Sequence, residues 1–257
     1  MQFVVVKSKS IKIALVLIMV LALLAINFGG EPALSQVYFN KTYRKVPIYK
    51  VSTEQKKVAI SFDAAWGADK TEQIMQILKQ HNSNATFFLV GFWVDKYPEL
   101  TKSISNQGFE IGTHSNTHPD LTKQSSEQIN LELSTSIKKI ADITNKPVKL
   151  FRPPFGAYNN QLIDNASSLG LTTIQWDVDS LDWKGISASE ISSNVLTKVS
   201  NGSIILCHNN SDHITEALPT ILKCLKDRGY SVVSVGELIY KDNYTINSQG
   251  IQIKKWG

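Results

Sequence analysis

With 257 residues, 42% of them hydrophobic and 19% charged, the chain has the size and composition of one globular α/β domain, which excludes a disordered or fibrous protein. Its net charge of +5 fits attraction to anionic wall polymers or phosphate-rich surfaces, and no basic run with interleaved aromatics argues for a nucleic-acid groove. The two cysteines, Cys207 and Cys224, have no zinc-ribbon spacing and read as small buried hydrophobes, with pairing in an exported protein as the alternative.

At the N-terminus, Lys7, Lys9 and Lys12 precede an apolar run from Ile13 to Ile26, which Asn27-Phe-Gly-Gly-Glu-Pro breaks. That layout predicts a signal peptide or membrane anchor over residues 1–35, with Ala33-Leu34-Ser35 as a stretch that could be cut. The remainder is then expected outside the cytoplasm, secreted or tethered to the membrane. Residues 36–56, with Tyr38, Tyr43 and Tyr49, read as a linker that becomes an N-terminal arm.

From Lys57 onward, short β-like runs alternate with amphipathic helical runs. Strands are predicted at Val58–Phe62, Ala85–Leu89, Phe109–Gly112, Lys149–Phe151, Thr172–Trp176, Ser203–Cys207 and Ser231–Val235. Helices are predicted near 69–81, 95–106, 126–144, 159–169, 187–200 and 214–228, the third marked by Ile129, Leu133, Ile137 and Ile140 at helical spacing. Gly108, Gly170 and Gly229 stand where helix-terminating glycines do. About seven parallel βα units predict a distorted or incomplete TIM-like (β/α)7 barrel over residues 57–240, a single domain followed by a tail at 241–257. A doubly wound open sheet is the alternative, and no glycine-rich phosphate loop supports a nucleotide.

The chemically unusual residues sit at the same ends of these strands. Val58-Ala-Ile-Ser-Phe62 is a buried-strand pattern that ends on Asp63. His114 and His118 follow the third strand, Arg152-Pro-Pro-Phe155-Gly156 the fourth, and Asp177-Val-Asp179-Ser-Leu-Asp182-Trp183 the fifth; Leu206-Cys207-His208 closes the sixth. In a parallel barrel these positions converge on one mouth. Taken alone, Asp63 could simply cap the next helix. The two histidines, four apart, suit a shared metal ion or are polar loop residues. Strand alternation sends Leu206 and His208 to one face and Cys207 to the helix layer. Phe155, Trp66, Tyr158 and Trp176 are candidates to line the groove, with a place in the core as the equal alternative.

This ordered set resembles the polysaccharide deacetylases of the NodB-homology class, carbohydrate esterase family 4, over roughly residues 55 to 240. The first motif, Ser-Phe-Asp-Ala-Ala-Trp-Gly, is similar to the sporulation-associated branch of Gram-positive bacteria, which implies a spore-associated setting. The resemblance implies a metal-dependent hydrolase that removes acetyl groups from N-acetylated cell-wall sugars such as those of peptidoglycan, using a divalent ion of the Zn, Co or Mn class. It implies that Asp63 is the base, that His114 and His118 bind the metal, and that Arg152 orients the base. The Phe155 N–H would be the oxyanion donor, and His208 the general acid, held charged by Asp179. Leu206 would pack against the acetyl methyl, with Trp183 facing the sugar, and Tyr158, one of the groove candidates named above, is taken with them as a substrate-binding residue. The family's usual second aspartate in the first motif is replaced here by Ala64, which cannot ligate. A catalytically impaired glycan-binding protein is therefore the alternative. A two-metal phosphoester hydrolase is disfavoured, because it needs more ligands than the sequence offers.

Overall fold

The computed structural model describes residues 12–21 and 44–255. The chain divides into two units, residues 1–43 and 44–257. In the first, residues 12–21 are helical, and the remainder of the expected signal or anchor segment, with the Ala33–Ser35 stretch, lies outside the described residues. No helix among the described residues is long and apolar enough to cross a membrane.

The second unit is built on a curled parallel sheet of strands β2 (Lys57–Ala64), β3 (Thr86–Leu89), β4 (Glu110–Thr113), β5 (Leu150–Phe151), β6 (Thr172–Thr173), β7 (Val178–Asp179), β8 (Ile204–His208) and β9 (Ser231–Val233). Their order is β6-β5-β4-β3-β2-β8-β7, with β9 pairing to the first residues of β2. Around them run α1 (Thr71–Gln80), α2 (Gly91–Lys96), α3 (Pro98–Asn106), α4 (Ser126–Thr144), α5 (Asn160–Ser168), α6 (Ala188–Leu196), α7 (Ile214–Asp227) and the short α8 (Val235–Leu238). This is the expected distorted barrel.

Strand alternation sorts β2 into two layers. Val58, Ile60, Phe62 and Ala64 pack into the core beneath the helices, while Ala59 joins Phe88, Leu150, Ile174 and Ile204 inside the barrel. The barrel interior is thus apolar at its base. Gly112 leaves the room this requires, because a Cβ there would stand 2.6 Å from the Phe88 ring. Cys207 belongs to the helix-facing core, as alternation predicts, and both cysteines are free thiols.

Several boundaries differ from the sequence reading. The helix expected at 95–106 is two helices, α2 and α3, broken at Tyr97. Pro98 starts the second helix, lacking an N–H and disfavouring helical geometry in the residue before it. The strand expected at Thr172–Trp176 ends at Thr173, and the two-residue β7 carries no periodicity that sequence could show. Residues 241–255 are not merely a tail, since β10 (Tyr244–Ile246) and β11 (Ile251–Lys254) form a hairpin whose second strand pairs with β1 (Lys50–Val51). The arm carrying β1 crosses between the sheet's edges. The Ile48 N–H donates to the Thr173 carbonyl at 3.1 Å, and the Val51 N–H to the Gly202 carbonyl at 2.9 Å. Gly202 sits at φ +77° and a Cβ would come within 1.8 Å of the Val51 carbonyl oxygen, so glycine is required where the arm lands.

Candidate functional site

At the C-terminal mouth of the barrel, an open cleft of about 590 Å³ gathers residues from every motif singled out in the sequence. Asp63, His114, His118, Phe155, Asp179, Trp183, Leu206 and His208 line it, together with Trp66 and Trp176. Asp63 and His208 are register partners on the adjacent strands β2 and β8, so a carboxylate and an imidazole stand side by side at one height.

Asp63 is buried and paired to Arg152, whose Nη1 donates to Oδ1 at 2.8 Å. Arg152 is 0% exposed, a charge tolerable there only because it is partnered. The same Nη1 also donates to Ser61 Oγ at 2.9 Å, Nη2 donates to the Gln175 carbonyl at 3.2 Å, and the guanidinium lies 4.2 Å from the Phe88 ring centre. Burial pushes the Asp63 carboxyl up, but the Arg152 charge, with His114 and His208 beyond it, outweighs burial and holds it below the ordinary carboxylate range. Asp63 is therefore ionised, with Oδ2 facing His114 Nε2 at 3.6 Å.

His114 Nδ1 lies 2.7 Å from the Arg152 carbonyl. A carbonyl only accepts, so Nδ1 carries the proton and Nε2 presents its lone pair to the cleft. Burial keeps this imidazole neutral against the pull of Asp63. His118 sits at φ +61° on a loop whose N–H groups at Asn116 and Thr117 donate to Glu132 of α4 at 2.9 and 2.8 Å. Burial and the neighbouring His114 lower the His118 pKa to about 4. The two imidazole centroids are 4.8 Å apart.

His208 is held by Asp182. Nδ1 donates to Oδ1 at 2.7 Å, and the His208 backbone N–H donates to Oδ2 at 2.8 Å. Burial lowers the His208 pKa, but the hydrogen bond and charge of Asp182, then Asp63 and Asp179, overcome it and the net shift is upward. This corrects the sequence reading, which gave Asp179 that task. Asp179 lines the cleft, but its Oδ1 accepts the Leu181 N–H at 2.8 Å, shaping the turn that brings Asp182 under the imidazole. Tyr158 is a second correction, since it does not line the cleft. Its ring packs against Tyr49 at 6.4 Å and beneath Arg44 at 5.1 Å, on the N-terminal arm. Phe155 takes a left-handed φ of +59°, and Gln175 Nε2 donates to the Gly156 carbonyl at 2.9 Å to hold that turn. Ser61 and Gln175 were missed in the sequence. Ser61 could have been found, because it lies two residues before Asp63 on the same strand face.

Catalytic metal sites of this kind use three protein ligands. Here His114 offers Nε2 and His118 its ring, but Asp63 already shares Oδ1 with Arg152. Ala64 has no donor atom and is enclosed in the helix-facing core. Among the described residues, no group of three His, Cys, Asp or Glu side chains is placed to hold a metal ion. The residues present do not fit a tightly held resident ion.

Comparison with known proteins places this arrangement among relatives. A polysaccharide deacetylase family model matches residues 50–174. The chain is 36% identical over 193 residues to the uncharacterized protein YlxY of Bacillus subtilis, covering 75% of this chain and 60% of YlxY. It is 36% identical to the peptidoglycan-N-acetylglucosamine deacetylase PgdA of Listeria monocytogenes over 80% of this chain and 43% of that protein. The chain thus spans less than two thirds of these two relatives. It is 31% identical to the peptidoglycan-N-acetylmuramic acid deacetylase PdaA of Bacillus subtilis, covering 78% of each. Among solved structures, wild-type BA3943, a pseudoenzyme of carbohydrate esterase family 4 from Bacillus anthracis, superposes with a TM-score of 0.73 at 36% identity, covering 75% of this chain and 68% of that one. A mutant of BA3943 with restored enzymatic activity superposes with the same TM-score at 37% identity, covering 75% of this chain and 71% of that one.

Proposed function

The chain belongs to the polysaccharide deacetylase family, and from that premise we propose that its cleft takes an N-acetylated sugar of a cell-wall glycan and hydrolyses the acetamide slowly, without a tightly held metal ion. The observation that carries this reading is the retained base and acid, Asp63 and His208, side by side and each with its own buried partner. Asp63 Oδ2 accepts a proton from the attacking water, and the water oxygen bonds to the acetyl carbon. The Phe155 N–H is the donor toward the developing oxyanion, and Leu206 packs against the methyl. His208 Nε2–H then protonates the departing sugar nitrogen, giving acetate and a free amine.

The rate is set by how the water is activated. A resident divalent ion lowers the pKa of its bound water from about 15.7 to about 7. A carboxylate already held below its ordinary pKa is a weak base for unactivated water, so turnover is slow. An ion of the zinc, cobalt or manganese class would be held weakly by His114 and His118, with solvent filling the remaining positions. The sequence reading of an exported, wall-facing protein supports the choice of substrate, since Lys7, Lys9 and Lys12 precede the apolar run. The wording of the first motif supports a spore-associated setting.

Ala64 and the likeness to a pseudoenzyme favour a second reading, glycan binding without turnover. Acetate release from peptidoglycan and from N-acetylglucosamine oligomers, measured with and without added zinc, cobalt or manganese, separates the two. The expected result is slow release by the wild type and a further loss of at least a hundredfold in Asp63→Asn. Binding of the glycan with no release under any condition would establish the second reading, and neither binding nor release would sink both.

A further inference from the structure

On one side of the cleft the structure shows a row of aromatic rings of which the proposed hydrolysis uses only the His118 imidazole and the Phe155 backbone, leaving the Phe92, Trp66 and Phe155 rings without a role. Phe92 faces Trp66 at 6.3 Å, Trp66 faces His118 at 5.0 Å, and His118 faces Phe155 at 4.7 Å. The members come from different loops, Trp66 after β2, His118 after β4 and Phe155 after β5, and only the curled sheet aligns them. Trp66 is 60% exposed and Phe155 68%, although each is a large apolar side chain whose burial would be favourable. The loop that presents Trp66 is held firmly. The Gly67 carbonyl accepts from Trp93 Nε1 at 2.7 Å and from Asn209 Nδ2 at 3.1 Å. Trp93 and Asn209 are themselves buried, so the exposed indole is carried on a fixed base. Phe155 is kept in left-handed backbone, a conformation unfavourable for a non-glycine residue.

Resting on the reading above, we propose that Trp66 and Phe155 form a stacking ledge for a second pyranose ring, next to the sugar whose acetamide lies between Asp63 and His208. A pyranose with equatorial substituents exposes a flat face of C–H groups, which an indole or phenyl face covers while the hydroxyls stay in water. The aromatic ledge is continuous with the polar floor of the cleft, and both line the same cavity. A chain of at least two linked sugars engages floor and ledge together, whereas a single N-acetylated sugar reaches only the floor. Trp66 is accordingly a specificity-determining residue for chain length.

The test is isothermal titration of the full-length protein with N-acetylglucosamine and its β-1,4-linked dimer, trimer and tetramer. Wild type is expected to bind the trimer about tenfold or more tighter than the monosaccharide. Trp66→Ala is expected to lose about tenfold on the trimer and leave the monosaccharide unchanged, with Trp66→Phe recovering most of the loss. Because Trp66 is largely exposed, these substitutions leave the core intact. If the wild type binds the oligomers and Trp66→Ala binds them equally well, the ledge is overturned while the glycan reading stands. If the wild type binds none of the four sugars, the glycan reading falls and takes the ledge with it.

Discussion

An Arg152→Met protein is expected to lose about 3–5 kcal/mol of stability at neutral pH, the cost of removing one partner from a buried ion pair. Arg152 is fully buried, and methionine would leave the Asp63 carboxylate without its guanidinium and Ser61 without its donor. The loss should depend on pH in a definite direction. In the wild type the depressed Asp63 pKa contributes stability that is present above the unfolded value near 3.9 and disappears as pH falls through the folded value. In the variant the largest interaction opposing burial is gone and the pKa rises above its wild-type position, so the penalty is absent at low pH and grows as pH rises through the new value. Urea unfolding between pH 7 and pH 4 should therefore show wild type and variant converging as the solution is acidified. The double variant Asp63→Asn/Arg152→Met buries no unpaired charge and should be more stable than Arg152→Met alone. A double variant that loses the sum of the two single losses would show that the pair is not coupled.

The second large effect is expected at Asp182, a positioning residue that acts through His208. In Asp182→Asn the hydrogen-bonded carboxylate that does most to offset burial is gone, so the His208 pKa should fall. His208 must carry a proton to serve as acid, and the wild-type enzyme loses that proton only as pH rises through its raised pKa. The basic limb of the pH profile should therefore move to lower pH, with turnover at pH 7 reduced by about 10²–10³-fold. A proton NMR titration of the His208 ring reads the shift whether or not turnover is measurable. The linked stability has the same sign. The raised pKa contributes stability that is complete below the unfolded value near 6.5 and lost as pH rises through the folded one. The advantage of wild type over Asp182→Asn should accordingly shrink above neutrality. An unmoved His208 titration would refute the assignment and return the role to Asp179.

Why Asp182 was legible as part of a motif but not in its role is a matter of distance along the chain. Sequence brings Asp179 and Asp182 to the same strand end, three residues apart, and nothing local says which one turns inward. The choice is made by the left-handed Leu181 between them, whose N–H is fixed by Asp179. Tyr158 failed for a related reason. Its neighbour Tyr49 lies more than a hundred residues away, on an arm whose place is set by bonds to Thr173 and Gly202. Strand pieces of two residues, such as β1 and β7, are too short to show alternation and exist because strands distant in sequence, β11 and β8, supply their partners.

What the sequence by itself determined is the alternation of strand and helix and the placement of Asp63, His114, His118, Arg152 and His208 at strand ends. Periodicities of two and 3.6 residues are properties of the local chain and survive without tertiary partners. It also determined that Ala64 carries no donor atom. Only the tertiary structure decided which carboxylate holds the acid, that Arg152 is sealed beneath Asp63, and that Trp66, His118 and Phe155 stand in one row. Each of these is a distance between residues far apart in the chain, on different strands and loops, and such distances exist only once the sheet has curled.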